Sequence, residues 1–181
     1  MSQELEIAYR GWDKQLDFED TKILLMTLIH DTRNAKKKAF FATLLVQMLN
    51  AARSCEAVDA MTKWASNGRR EQRVRAEKRK PNNKFMRLVI IPTIVRKYRN
   101  IGPAITKAKA DYSDVCNYLD QWCSRHLGFN THSLRYAGIT HMSATMYPQE
   151  ITRITGHTDM KLIQDYTNSR VAESKLRVSI D

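Results

Sequence analysis

The run AFFATLLVQMLNAA, residues 39–52, limits the fold more than any other stretch. Phe40, Phe41, Leu44, Leu45, Met48 and Leu49 recur at intervals of three and four, which makes a broad apolar face on a helix. A helix with so wide a face must be wrapped by other elements, so this segment is expected at the centre of a helical core. Upstream, Ile23, Leu24, Met26, Leu28 and Ile29 follow Asp17, Asp20 and Thr21, any of which could cap a first helix. Residues 1–16 read as a lead-in or tail. Downstream, Val58, Met61 and Trp64 mark a further helix that closes at the turn signal Asn67-Gly68.

The segment Arg69 to Arg99 then becomes strongly basic. The runs QRVRAEK and KFMRLVIIP flank Arg79-Lys80-Pro81-Asn82-Asn83, a sequence with turn chemistry, and together they predict a basic β-hairpin or part of a three-stranded sheet. Gly102-Pro103 is expected to interrupt the chain. A helix is expected from Asp111 to Leu127, stopped by Gly128, and another from Ser133 to Met146. Pro148 suits the first position of PQEITRIT, which stops at Gly156, and Thr158 or Asp159 can cap a last helix through MKLIQDY. The fold class is therefore α+β, predominantly α-helical, with a small antiparallel sheet.

A chain of 181 residues can bury a core without help from metals or disulfides. Thirty basic residues against nineteen acidic ones give a formal charge of +11, which favours a polyanionic partner, most simply nucleic acid, with an anionic membrane surface as the competitor. Cys55, Cys116 and Cys123 form no even framework and are expected as reduced thiols of an intracellular protein. Cys116, Cys123 and His126, with His132 or His141, lack the tight cysteine knuckle of a structural zinc site, so no metal is expected. No apolar run approaches the ~18 residues of a membrane span, so the chain is expected to be cytoplasmic or nucleoid-associated, in a host cell where it is carried by a virus or plasmid.

The chemistry gathers between Thr131 and Asn168. His132 and Arg135 lie three apart in one helical turn, Gly156-His157 follows a helix end, and Tyr166 stands nine residues after His157. Earlier in the chain Arg53 follows the core helix with Glu56 three positions on; read alone, Arg53 is a surface residue paired with Glu56 or Asp59. This order of Arg-x-x-Glu, hairpin lysine, a strand ending in LVIIP, His-x-x-Arg, Gly-His and Tyr resembles the catalytic domain of the tyrosine recombinases, the phage-integrase family, over roughly residues 17–170. Thr131 and Tyr136 replace the Pro and His that the family often has beside its first His and second Arg.

The resemblance implies a metal-free and cofactor-free reaction on double-stranded DNA. Arg53 and Arg135 would hold the non-bridging phosphate oxygens through charge-assisted hydrogen bonds, and Tyr166 would attack phosphorus. His132 would take the phenol's proton, His157 would donate to a phosphate oxygen, and a hairpin lysine, Lys78 or else Lys80 or Lys84, would protonate the leaving 5′-oxygen. Arg73, Arg75, Arg79, Lys80 and Lys84 are expected along the DNA backbone. The resemblance further implies a tetramer on DNA, with residues 171–181 either docking on a neighbouring protomer or forming a frayed terminus. It also implies an N-terminal helical domain that residues 1–16 cannot supply, so the chain is expected to be a catalytic fragment or a short single-domain form. The alternatives are a type IB topoisomerase-like relaxing activity and a non-catalytic DNA-binding module.

Overall fold

The computed structural model of the chain describes residues 16–76 and 85–156. Helix α1 (Phe18–Asp31) starts at Asp17, whose carboxylate accepts from the Asp20 N–H at 2.9 Å. After a short turn, Asn34 caps α2 (Ala35–Leu49) in the same way, accepting from Lys37 N–H at 3.0 Å. Helix α2 is the apolar run expected from the sequence, and it is buried continuously from Lys38 to Met48. Four helices pack around it: α1, α3 (Ser54–Asn67), α5 (Ile101–Asp111) and α7 (Thr131–Ser143). Fully burying each large apolar side chain contributes roughly 1.5–3 kcal/mol, so this helix dominates the core. Trp122 of α6 (Val115–Leu127) closes one side, edge-on to both Phe40 and Phe41 at 5.1 Å between ring centres.

Two strands, β1 (Glu71–Arg75) and β2 (Met86–Ile90), pair antiparallel with Arg73 opposite Leu88. Among the described residues this two-stranded sheet is complete, so the hairpin rather than the three-stranded alternative is found. Strict alternation buries Gln72 and Val74 on β1 and Arg87 and Val89 on β2 while Arg73 and Arg75 face solvent. A short helix α4 (Thr93–Arg96) leads on to α5, and α8 (Pro148–Thr155) follows α7 with Pro148 in its first turn. Gly68, Gly128 and Gly156 end α3, α6 and α8 in the left-handed region, at φ of 67°, 76° and 70°.

Three expectations need correction. Gly102-Pro103 does not interrupt the chain but lies in the first turn of α5, where a proline has no intrahelical N–H bond to lose. Gly102 is also where α5 closes on α3, since a Cβ there would sit 3.1 Å from the Cβ of Ala65. The helix expected from Asp111 begins instead at Val115, behind an Asp114 cap. The cysteines are not all reduced thiols: Cys55 and Cys116 form a disulfide between the first turns of α3 and α6, and Cys123 alone is free and buried. Odd cysteine counts cannot reveal one local pair when the partners are 61 residues apart. Among the described residues no helix is long and apolar enough to cross a membrane, and no His, Cys, Asp and Glu cluster has the makings of a metal site.

Candidate active site

The end of α2 organises the site. Asn50 is its C-cap and Ala51, fully buried, adopts φ 46°, a left-handed conformation that costs a non-glycine residue of order 1–3 kcal/mol. That turn aims the Asn50 and Ala51 carbonyls at two arginines from distant segments. Arg135 of α7 donates from Nη1 to Ala51 O at 2.9 Å and from Nη2 to Thr155 O, at the end of α8, at 3.2 Å. Arg87 of β2 donates from Nη2 to Asn50 O at 2.5 Å and from Nη1 to Ala51 O at 3.4 Å. Helix α7 can come so near because residue 138 is glycine; a Cβ there would collide with the Met48 carbonyl oxygen.

A single buried carboxylate joins these cations. Glu56 Oε2 accepts from the Arg53 backbone N–H at 2.9 Å, one half of a capping box, and from Arg87 Nη1 at 2.6 Å. Its Oε1 accepts from Arg53 Nη1 at 3.3 Å, and Oε2 lies 3.8 Å from Arg135 Nη1. Arg53 therefore pairs with Glu56, not with Asp59, which pairs with Lys63 and lies near Lys109. Arg87 and Arg135 are each 1% exposed, whereas the Arg53 side chain keeps 18%. Burial pushes the Arg87 guanidinium below its ordinary range and the neighbouring Arg53 adds to this, while Glu56 pulls it back up.

The first turn of α7 is fixed from three sides. Asn130 accepts from Ser133 N–H at 2.8 Å, Asp120 accepts from the Thr131 N–H at 2.9 Å and hydroxyl at 2.8 Å, and Gln47 of α2 donates to Thr131 O at 2.7 Å. His132 is thereby held exposed on that turn, edge-on to the Tyr136 ring with centroids 4.8 Å apart. The helix starts two residues earlier than the sequence suggests because Asn130, not a residue beyond it, is the cap. Cys123 is no rival nucleophile, because burial, helped by Asp120, pushes its thiol up to about 12.

Of the residues singled out from sequence, Arg53 and Arg135 come together on Glu56, and His132 stands on the same turn as Arg135. Arg73 and Arg75 lie on the exposed face of β1. Lys78, Arg79, Lys80 and Lys84, and likewise His157, Tyr166 and the segment 171–181, lie outside the described residues. Sequence reasoning missed Arg87. The signal was present, since in MRLVIIP a period of two puts Arg87 on the same inward face as Val89 and Ile91, and a charge at a core-facing position requires a buried partner.

No family model matches the chain, and no solved structure matches it. An uncharacterized protein of Methanocaldococcus jannaschii, MJ0770, is 29% identical over 92% of this chain and 87% of its own length. A protein of Acidianus two-tailed virus named "Putative integrase ORF241" is 32% identical over 94% of this chain and 69% of its own length. With that identity spread over nearly the whole chain, the protein belongs to the integrase-like family that the viral protein represents.

Proposed function

We propose that this chain is the DNA-cleaving and rejoining unit of a site-specific recombinase of the tyrosine recombinase type. The observation that carries the reading is the meeting of Arg53 and Arg135, from opposite halves of the chain, on Glu56 beside the turn that bears His132. Paired guanidiniums at one place suit a phosphate whose non-bridging oxygens gain charge during attack. Tyr166 Oη attacks phosphorus and passes its proton to His132, and His157 donates to a non-bridging oxygen. The bond to the 5′-oxygen breaks as Lys78 protonates it. The 3′-phosphotyrosyl bond keeps the energy of the phosphodiester, so a second 5′-hydroxyl can reverse the steps and release the phenol. The charge of +11 and the outward Arg73 and Arg75 suit the DNA backbone, with copies of the chain assembled as a tetramer on it.

The test is covalent capture on nicked duplex DNA. Tyr166→Phe should abolish the SDS-stable adduct and leave binding nearly intact; an undiminished adduct in that variant refutes the assignment. Arg135→Lys should also lose capture, because an ammonium cannot reproduce a planar fork. One observation favours a second reading: Arg135 is 1% exposed and donates to two carbonyls, as a purely structural arginine would. On that reading the chain binds DNA without cutting it, and the wild-type protein forms no adduct on any nicked substrate.

A further inference from the structure

We infer that Asp120 is a positioning residue: by holding Thr131 it sets the first turn of α7, and with it the place of His132. The inference rests on the reading just proposed, in which His132 takes the proton of the nucleophile. Thr131 is the first residue of α7, and its N–H is one of the donors that a helix start leaves without an intrahelical acceptor. Asp120 Oδ1 accepts from that N–H at 2.9 Å and from the Thr131 hydroxyl at 2.8 Å. Gln47 of α2 donates to the Thr131 carbonyl at 2.7 Å. The peptide planes on either side of Thr131 are therefore each held by a side chain of another helix, one from α6 and one from α2. The second of these planes leads directly into His132.

The Asp120 carboxylate is a fixed reference point. Four residues before it, on the same face of α6, Cys116 is bridged to Cys55, the neighbour of Glu56 in the first turn of α3. Two residues after it, Trp122 stands edge-on against Phe40 and Phe41 of α2. Asp120 thus places the start of α7 relative to the helix that begins behind Arg53. Helix α7 does not need Asp120 in order to form, because Asn130 already caps it by accepting from Ser133 N–H at 2.8 Å and Leu134, Ala137 and Ile139 are buried. Arg135 has its own ties, to the Ala51 and Thr155 carbonyls. His132 is exposed, so its place follows from the backbone beneath it more than from burial. A general base must lie within hydrogen-bond reach of the proton it takes, and a misplacement of about 1 Å can cost about 100-fold in rate.

The experiment uses the full chain and a nicked duplex selected from a randomised pool by its covalent capture on the wild-type protein. Asp120→Ala should slow capture about 100-fold, with DNA affinity and the circular dichroism spectrum at the assay temperature little changed. Added to His132→Ala and followed through long incubations, the same substitution should slow capture by less than about threefold more, since the group it positions is gone. A merely structural Asp120 loosens the whole site and predicts that the two losses multiply. Multiplied losses overturn the inference, as does an Asp120→Ala that captures DNA at the wild-type rate. Asp120→Asn keeps an oxygen for the Thr131 N–H and should recover at least about tenfold of the loss; a folded Asp120→Asn as slow as Asp120→Ala overturns the inference. Should Asp120→Ala fail to fold, Thr131→Val takes its place. It removes only the hydroxyl half of the hold and should slow capture about tenfold, with the same His132→Ala comparison deciding. A wild-type chain that captures no member of the pool refutes the proposed function and this inference with it, whereas the variant outcomes above refute the inference alone.

Discussion

The two ends of α2 carry cations in opposite ways. At its start Lys36, Lys37 and Lys38 occupy the first turn with no acidic residue among them, although the helix dipole disfavours positive charge there. The compensation is aromatic. Lys36 Nζ lies 4.6 Å from the Tyr112 ring centre, 5.3 Å from that of Tyr118 and 5.8 Å from that of Phe40, and it bonds to the Tyr112 hydroxyl; Lys38 Nζ lies 4.1 Å from the Tyr98 ring centre. At the other end the dipole favours cations, and the terminal carbonyls together with Glu56 replace the water that two buried guanidiniums have lost. The first turn of α2 seats its cations on ring faces, Lys36 exposed and Lys38 buried, whereas the far end seats two buried guanidiniums on carbonyls and a carboxylate. The difference suits the end of α2 to the phosphate chemistry proposed for it.

If that contrast is right, substitutions at the buried end should be far more damaging than those at the exposed end. Glu56→Ala should be the worst. It leaves Arg87 buried without its carboxylate, and the loss of a partner from a buried pair costs about 3–5 kcal/mol. Urea denaturation checks this, and a loss below about 1 kcal/mol would show that the carbonyls alone suffice.

Reduction of the Cys55–Cys116 disulfide comes next. Cys55 is the residue before Glu56, and the bridge closes a loop of 61 residues, so breaking it should lower stability by about 2–4 kcal/mol. Thermal melts with and without a reductant measure it, and Cys55→Ser with Cys116→Ser should match the reduced protein. Gly138→Ala follows at about 1–3 kcal/mol, because the added methyl meets the Met48 carbonyl and lies 3.2 Å from both Cα and Cβ of Ala51, so α7 must back away from the site. An unchanged denaturation midpoint in Gly138→Ala would mean that α7 approaches α2 less tightly than the structure has it.

The helical frame was readable because local signals decide it. The face of residues 39–52, the cap at Asp17, the stop glycines 68, 128 and 156 and the alternation of the hairpin are each written within a few positions. Gly102-Pro103 misled because a breaker pair in mid-helix and a permitted pair in a first turn have the same composition. Arg53 and Arg135 could be found by their resemblance to a known motif, but the buried knot joining them could not. Its geometry depends on Ala51, an ordinary residue in an uncommon conformation, and on Arg87, whose partners are 31 to 37 residues away. Charges count toward a partner such as DNA only after the internal pairings are known, and those pairings are tertiary.

The smallest expected effect belongs to the exposed end, and it is spectroscopic. The hydrogen bond from Lys36, then that from Tyr118, lowers the Tyr112 phenol from its ordinary value near 10, and the same bond to Tyr112 raises Lys36. The signs are complementary. Tyr112 releases its proton more readily folded than unfolded, so its share of stability grows as pH rises through the lowered value and is complete above the ordinary one. Lys36 holds its proton more firmly when folded, so its share is complete below its ordinary value and fades as pH passes the raised one. A titration of tyrosinate absorbance should therefore show one phenol ionising ahead of the others, and Lys36→Met should return it to the group with scarcely any change in the denaturation midpoint, since solvent screens so exposed a pair. A Lys36→Met midpoint as low as that of Gly138→Ala would break the contrast between the two ends of the helix.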